Sequence, residues 1–260
     1  MGESLITRRA GAGGGEATIT FENYSHATNL TYISASDLSL ARKNPAGASV
    51  GGYALFAGGE RSGYSSTVDA YNTSLTRSTP TVLSQARFDL AGASVGEYAL
   101  FAGGFSGYSG GFYSTVDAYN TSLTRSTPTV LSQARSYLAG TSVGACALFA
   151  GGFGGSGYPS TVDAYNTSLT RSTSTALSQA RSYLTGASVG EYALFAGGFD
   201  GSYSSTVDAY CDNLELSLFP NTKYKLNDMP SEQTSTSFQT LSIPKPVNGY
   251  MKIQNATLQN

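Results

Sequence analysis

The stretch STVDAYNTSLTRSTPTVLSQAR occurs without a change at residues 66–87 and again at residues 114–135. A third copy, at residues 160–181, differs at two positions only. Each copy is followed by a second constant block, which reads ASVGEYALFAGG at residues 93–104. Together the two blocks form one repeat, so the sequence predicts a tandem array built from copies of a single structural element.

The repeat has the length and composition of a small β-sheet. Its second block ends in a glycine pair, and successive pairs lie 45, 48 and 46 residues apart. The repeat is rich in Gly, Ser, Thr, Tyr and Val, with turn signals about every 8–12 residues, and it lacks helix formers at helical spacing. Four strands fit this period, and such a sheet repeated along a chain is typical of propeller blades. The pairs are Gly58–Gly59, Gly103–Gly104, Gly151–Gly152 and Gly197–Gly198.

In the second repeat the four strands are predicted near residues 91–95, 98–102, 115–119 and 127–131. The second of these, YALFA, is apolar along its whole length, which predicts a strand covered on both faces by neighbouring sheets. The glycine pair that follows provides positive φ and room for another backbone to approach. Pro128 is expected before the fourth strand or at its outer edge, where a missing amide donor costs least.

The repeat resembles the kelch family. The shared features are an apolar strand that ends in Gly-Gly, a variable Gly-rich loop, the VDAY motif and an arginine before the next repeat. The resemblance covers about residues 42–211 and implies an all-β, kelch-like β-propeller of four-stranded antiparallel blades. The sequence departs from the family where a tryptophan is expected after the tyrosine, because Leu75, Leu123 and Leu169 lie in that region.

The two ends of the chain are predicted to share a last blade. The N-terminal segment is strand-like from Ala17, and residues 27–42 align with residues 71–87 at the end of a repeat, so that Arg42 falls on the repeat's arginine. The segment PVNGYMKIQN (246–255) aligns with SVGEYALFAG (94–103). The C-terminus would then supply the first two strands of a composite blade and the N-terminal segment the last two, which removes exposed sheet edges.

This closure gives five blades over residues 17–260, preceded by a flexible Gly-rich tether at residues 1–16. The alternative is a propeller of four blades over residues 17–212, followed by a small β domain at residues 213–260.

Charge and hydropathy limit the expected partners. A formal net charge of −2 gives no electrostatic reason to expect nucleic acid or an anionic membrane. No apolar run approaches the roughly 20 residues that a membrane helix needs. The first residues carry two arginines without an apolar stretch behind them, so no secretion signal is predicted. The sequence therefore predicts no membrane insertion and leaves the localisation open.

Groups that could perform catalysis are few. His26 is the only histidine and aligns with Tyr71, which favours a surface or packing role. Copper oxidases of the galactose oxidase type have a similar propeller fold, but their metal site relies on two histidines, two tyrosines and a cysteine. One histidine cannot supply that site. We therefore expect no catalytic residues, no metal and no cofactor.

Carboxylates recur in the repeat at two positions. Each VDAY motif carries an aspartate that is expected to satisfy backbone donors within its own blade, although a ring of carboxylates could in principle hold Ca²⁺. A glycoside hydrolase would need a carboxylate pair in the central channel, whereas Glu97 and Glu191 lie at the edge of the second strand. That activity is the weakest hypothesis. The aspartates are Asp69, Asp117, Asp163 and Asp208.

The loops between the second and third strands vary, while their flanks stay nearly identical. They read ERSGYSS (60–66), FSGYSGGFYS (105–114), FGGSGYPS (153–160) and FDGSYSS (199–205). Because strands in a blade alternate in direction, these loops are predicted on the same face as the turns that carry the repeat's arginines. The predicted ligand-binding residues are Tyr64, Tyr108, Phe112, Tyr113, Tyr158, Tyr203, Arg42, Arg87, Arg135 and Arg181.

Tyr, Ser and Gly also dominate antibody loops, where rigid amphipathic rings give contact area at low entropic cost. The sequence therefore favours a non-enzymatic module that recognises a protein or glycan through this face. It resembles repeat proteins of gut bacteria and their phages, such as tail or surface adhesins, which implies a module of a larger assembly. Two alternatives stay open: the loops are permissive linkers whose arginines pair with local carbonyls, or the array is purely structural.

Overall fold

The computed structural model describes residues 32–107 and 111–211, together with the backbone of two strands at 214–217 and 240–243. The chain divides into two compact units, Met1–Ala35 and Ser36–Asn260. All of the described strands lie in the second unit. Among these residues no helix has the length and apolar character that crossing a membrane requires.

The strands form sheets in which chain neighbours pair in antiparallel fashion. Sheet 1 contains β1 (Ala46–Val50), β2 (Tyr53–Ala57), β3 (Val68–Asn72) and β4 (Arg77–Ser78). Sheet 2 contains β5 (Ala91–Val95), β6 (Tyr98–Ala102), β7 (Val116–Asn120) and β8 (Arg125–Ser126). Sheet 3 contains β9 (Ala139–Val143), β10 (Cys146–Ala150), β11 (Val162–Asn166) and β12 (Arg171–Thr173). Sheet 4 contains β13 (Thr185–Val189), β14 (Tyr192–Ala196) and β15 (Val207–Cys211), and a separate pair is formed by β16 (Leu214–Ser217) and β17 (Thr240–Ile243).

This architecture confirms the predicted all-β fold of repeated four-stranded antiparallel sheets. The first three strands of the second repeat lie where the sequence places them, within one residue. The fourth does not. The outermost strand is Arg125–Ser126, and the predicted strand at 127–131 is wrong.

A tight turn explains the early fourth strand. The side-chain oxygen of Asn120 accepts hydrogen bonds from the amides of Ser122 and Thr124, at 3.0 and 2.9 Å, so the chain returns to the sheet at once. The following residues then leave their own sheet. The carbonyl of Thr129 accepts a 2.8 Å hydrogen bond from the Tyr165 hydroxyl of sheet 3.

Each sheet packs face to face against the next sheet along the chain, and the two faces in contact differ in composition. One face of a sheet presents small aliphatic side chains, and the facing side of the next sheet presents a phenylalanine and a tyrosine. Leu83 and Leu90, from the connection between sheets 1 and 2, complete the first of these cores. β6 is fully buried from Ala99 to Ala102, so the prediction for YALFA is confirmed. The first core joins Leu55, Ala57, Val68 and Ala70 of sheet 1 to Ala99, Phe101 and Tyr119 of sheet 2.

The first strands of neighbouring sheets approach each other backbone to backbone. A Cβ atom built on Gly92 would lie 2.1 Å from the carbonyl oxygen of Gly47, and one on Gly140 would lie 2.4 Å from that of Gly92. No side chain fits in these gaps. Next to them, the Ser94 amide donates a 3.1 Å hydrogen bond to the Ser142 hydroxyl.

The first and last sheets are less covered than the middle ones, as far as the described residues show. Phe56 of sheet 1 is 37% exposed, whereas its equivalents in the other three sheets are fully buried. Val207 of sheet 4 is 57% exposed, and its equivalents in the other three are likewise buried. The equivalents are Phe101, Phe149 and Phe195 for the phenylalanine and Val68, Val116 and Val162 for the valine.

The segment 36–42 contacts sheet 1 as the segment 81–87 contacts sheet 2. The Tyr71 hydroxyl donates to the carbonyl of Ser36 at 2.8 Å, as Tyr119 does to Thr81. This equivalence supports the alignment that places Arg42 on the repeat's arginine.

The close approach of the first strands predicts that Gly140→Ala strains the backbone contact between sheets 2 and 3. We expect the substitution to lower the free energy of unfolding by about 2 kcal/mol, measured by urea denaturation. Gly63→Ala is the matched control, because a Cβ atom there meets open space and its φ is not left-handed. Equal stability of the two variants would contradict the packing described for the first strands.

Candidate binding face

The four arginines of the repeat, which the sequence placed on the ligand-binding face, are buried instead. Each forms an ion pair with the aspartate of a VDAY motif, and all four arginine side chains are fully buried. Groups that are buried and paired cannot bind an external ligand, so this part of the predicted site is wrong. The pairs are Arg42–Asp69, Arg87–Asp117, Arg135–Asp163 and Arg181–Asp208, with N–O distances of 2.7 to 2.8 Å.

Three of these arginines, Arg87, Arg135 and Arg181, each join two of the described sheets. The carbonyl of Arg87 accepts a 2.9 Å hydrogen bond from the amide of Gly59 in sheet 1. Its guanidinium reaches sheet 2, where it donates to Asp117 at 2.8 Å and to the carbonyl of Phe101 at 3.1 Å. A Cβ atom on Gly58 would lie 2.6 Å from the same Arg87 carbonyl oxygen, which explains the first glycine of the pair.

The VDAY aspartates accept hydrogen bonds from backbone amides, as predicted. These amides belong to the connection before the sheet, however, and not to the sheet itself. Asp117 accepts from the amide of Ser84, at 3.2 Å, which belongs to the connection that leads into the sheet. Arg125 of its own sheet donates to the same carboxylate oxygen, Oδ1, at 2.8 Å, whereas Arg87 donates to Oδ2. Burial opposes ionisation of the equivalent Asp69, but hydrogen bonds from Ser39 and Arg42 outweigh it and lower the pKa of that carboxyl.

The four variable loops lie at the same end of their sheets as the connections that carry the arginines. In every sheet an isolated bridge pairs the connection with the loop. We call the surface formed by these loops and connections the loop face. The bridges are Lys43–Glu60, Phe88–Phe105, Ser136–Phe153 and Ser182–Phe199.

An unbroken row of eight aromatic rings runs along the loop face. A ring from each of the first three loops packs on a ring of the next sheet: Tyr64 on Phe88, Phe112 on Phe153, and Tyr158 on Phe199, at centroid distances of 5.3, 5.5 and 6.3 Å. Pairs within the sheets complete the row. Contacts of this kind contribute about 0.5–1.5 kcal/mol each. The row therefore holds neighbouring loops together.

The predicted aromatic residues consequently have different surroundings. Tyr64, Phe112 and Tyr158 are half-buried between sheets. The Tyr113 hydroxyl lies 2.8 Å from the Ser106 hydroxyl of its own loop. Tyr203 is 94% exposed. The remaining predicted residue, Tyr108, lies outside the described residues, as does His26.

The third loop borders a groove of about 600 Å³. Its lining consists of residues 154–161 together with Gln133, Ala134 and Ala180. None of these side chains is charged, and most are small or carry a hydroxyl. The volume is within the range of about 300–1,000 Å³ that is common for small-molecule sites.

Four residues that the sequence analysis did not select also meet on the loop face. Each lies two positions after an arginine, in the motifs RKN, RFD, RSY and RSY, and each has a left-handed backbone with φ between 52 and 55°. The sequence signal was present, because this position varies shortly after the constant arginine, together with the residue before it. We call these residues the tetrad. They are Asn44, Asp89, Tyr137 and Tyr183.

Comparison with known proteins finds no family model and no curated protein that matches the chain. The kelch resemblance therefore stays a prediction from the repeat. Among the described residues no group of three or more His, Cys, Asp or Glu side chains is placed to hold a metal ion.

Proposed function

We propose that the chain is a non-enzymatic binding module whose loop face recognises a protein or glycan ligand. One observation carries the proposal: the constant residues of the repeat form the buried cores and ion pairs, whereas the four loops that differ in length and sequence all lie on the loop face. A surface that varies on a constant scaffold is the usual arrangement of a recognition module.

The chemistry of the loop face supports a ligand of low charge. The repeat's arginines and aspartates neutralise one another in the interior, and Lys43 pairs with Glu60. Much of the remaining surface consists of hydroxyls, amides and rings. This composition fits the expectation of no nucleic-acid partner.

The proposal that no reaction is catalysed rests on the positions of the recurrent glutamates. Glu97 lies in the turn between β5 and β6, and Glu191 in the turn between β13 and β14. Both turns are at the opposite end of their sheets from the loop face, and the two glutamates belong to different sheets. A larger assembly, such as a phage tail or a bacterial surface adhesin, is the setting that the sequence resemblance suggests.

A loop exchange tests the binding proposal. Residues 153–160 are replaced by FDGSYSS from sheet 4, which changes the groove and keeps the repeat's scaffold. Binding is measured on printed glycans and on purified cell-surface proteins. We expect the exchange to weaken binding about tenfold or more, since interface contacts are concentrated in few residues.

Ser168→Asp, in the exposed turn between β11 and β12 at the other end of sheet 3, is the matched control and should bind as the parent does. Binding that survives the exchange would contradict the assignment of the ligand to the variable loops and would leave the connections of the loop face as its site. If neither glycans nor proteins bind, the result favours the alternative of a purely structural array. In such an array the ring-to-ring contacts between loops would hold neighbouring sheets together.

We also propose that the sheets are blades of a kelch-like β-propeller of five blades, closed by a composite blade from the two ends of the chain. The contacts of residues 36–42 support this arrangement, because they match those of a segment that leaves a preceding blade. The exposure of Phe56 and Val207 supports it as well, since both lie on faces that a further blade would cover. The separate pairing of β16 with β17 favours the alternative, a small β domain at residues 213–260.

Truncation separates these two arrangements. Removal of residues 1–35 should lower the Tm by about 10 °C or more if this segment completes the last blade, because it would expose apolar faces at both ends of the array. Removal of residues 1–16 alone is the control and should leave the Tm unchanged. If removal of residues 1–35 leaves the Tm equal to that of the full-length chain, the result would support a propeller of four blades and a separate domain.

A further inference from the structure

The tetrad forms a connected row beside the first strands of the four sheets. The amide of Tyr137 donates to the carbonyl of Asp89, and the amide of Tyr183 donates to the carbonyl of Tyr137, both at 3.0 Å. The Asn44 side-chain amide donates to a carboxylate oxygen of Asp89, also at 3.0 Å. One variable residue from each sheet is thus placed next to the one from the following sheet.

The two tyrosines occupy a backbone conformation that does not suit them. Asn and Asp tolerate a left-handed φ, and they occupy it in the first two sheets, whereas a bulky side chain there is strained. Leu75, Leu123 and Leu169 have similar φ values; Leu123 and Leu169 pack against the cores between sheets, and Leu75 of sheet 1 is 40% exposed. Tyr183 is 61% exposed, so burial does not offset its strain. Strained exposed residues of this kind are typical of functional sites.

The tyrosine rings form a supported platform. The ring centroids of Tyr137 and Tyr183 lie 4.3 Å apart, with an angle of 32° between the planes. Burial raises the pKa of Asp89, while the nearby Tyr137 hydroxyl and the Asn44 amide act in the opposite direction. Tyr137 is therefore held between Asp89 and Tyr183, and the outer ring of Tyr183 faces solvent.

We propose that the tetrad binds a neutral saccharide, one sugar ring of which stacks on Tyr183. The inference rests on the proposed binding function. It adds the class of ligand and a binding site that lies outside the four variable loops. The apolar face of a sugar ring matches the amphipathic face of tyrosine. The Asn44 amide and the Tyr137 hydroxyl supply hydrogen-bonding groups along the row.

The hydrogen bonding and burial of the Asp89 carboxylate favour a neutral ligand over a cationic one. One carboxylate oxygen accepts from Asn44, and the other is buried, so the charge is not open to a bound cation. The described arginines that precede the tetrad are buried in ion pairs, so they offer no charge to an anionic ligand. A partner that contacts this site gains from stacking and neutral hydrogen bonds.

Tyr183→Asn in the full chain tests the proposal, because sheet 1 already carries Asn at this position. The probe is a printed array of neutral oligosaccharides, followed by saturation-transfer NMR with the best-bound one. We expect the parent to bind and Tyr183→Asn to weaken that binding about tenfold or more. Its Tm should stay equal or rise, since Asn relieves the left-handed strain. Tyr192→Asn, which replaces a 53% exposed tyrosine at the other end of sheet 4, should bind normally.

Four results would overturn the inference. Equal saccharide binding by Tyr183→Asn together with loss on the loop exchange would move the site to the loops and leave the binding function intact. Binding to purified proteins but to no neutral oligosaccharide would leave a binding module with another ligand class. A sharp fall in Tm without loss of binding would make Tyr183 a structural residue. If the parent binds no probe of either kind, the proposed function and the inference both fail.

Discussion

The structure depends on one arginine at each junction between sheets. Its backbone is hydrogen-bonded to the glycine pair of the sheet that the chain leaves, and its guanidinium forms a buried ion pair in the sheet that the chain enters. Arg87 shows both halves, with Gly59 on one side and Asp117 on the other. A buried charge is tolerated only when it is paired and hydrogen-bonded, so the aspartate and its further donors are required as much as the arginine.

This anchor determines the path of the chain into the next sheet. Two residues later the backbone takes a left-handed turn, and the next strand then begins alongside the first strand of the preceding sheet, where Gly92 and Gly140 allow close contact. The same anchor holds the connection against the variable loop through a bridge. The position of the loops and of the tetrad is therefore a consequence of the ion pair, and their sequences are left free to vary.

The repeat length, the alternation of apolar blocks and the glycine pairs were sufficient to predict the sheets and most of their strands. The fourth strand was misplaced because the local hydrogen bonds of Asn120 outweigh the strand propensity of the residues after it. The arginines were misassigned for a different reason. An arginine in a connection looks exposed, and only pairing with an aspartate some 30 residues later in the chain, as for Arg87, reveals its burial. Rings such as Tyr64 pack on a ring of the next sheet. A contact between two repeats cannot be predicted from the sequence of one repeat.

A double-mutant cycle on Arg135 and Asp163 tests the role of the junction most directly, because both side chains are fully buried. Arg135→Met and Asp163→Leu are measured singly and together by urea denaturation. We expect each single change to lower the free energy of unfolding by about 3 kcal/mol or more. The double change should then cost at least about 1.5 kcal/mol less than the sum, since no fully buried charge is left without its partner, and Arg171, which also pairs with Asp163, is 24% exposed. Losses that add to within about 0.5 kcal/mol would contradict the role of the ion pair as the anchor of the junction.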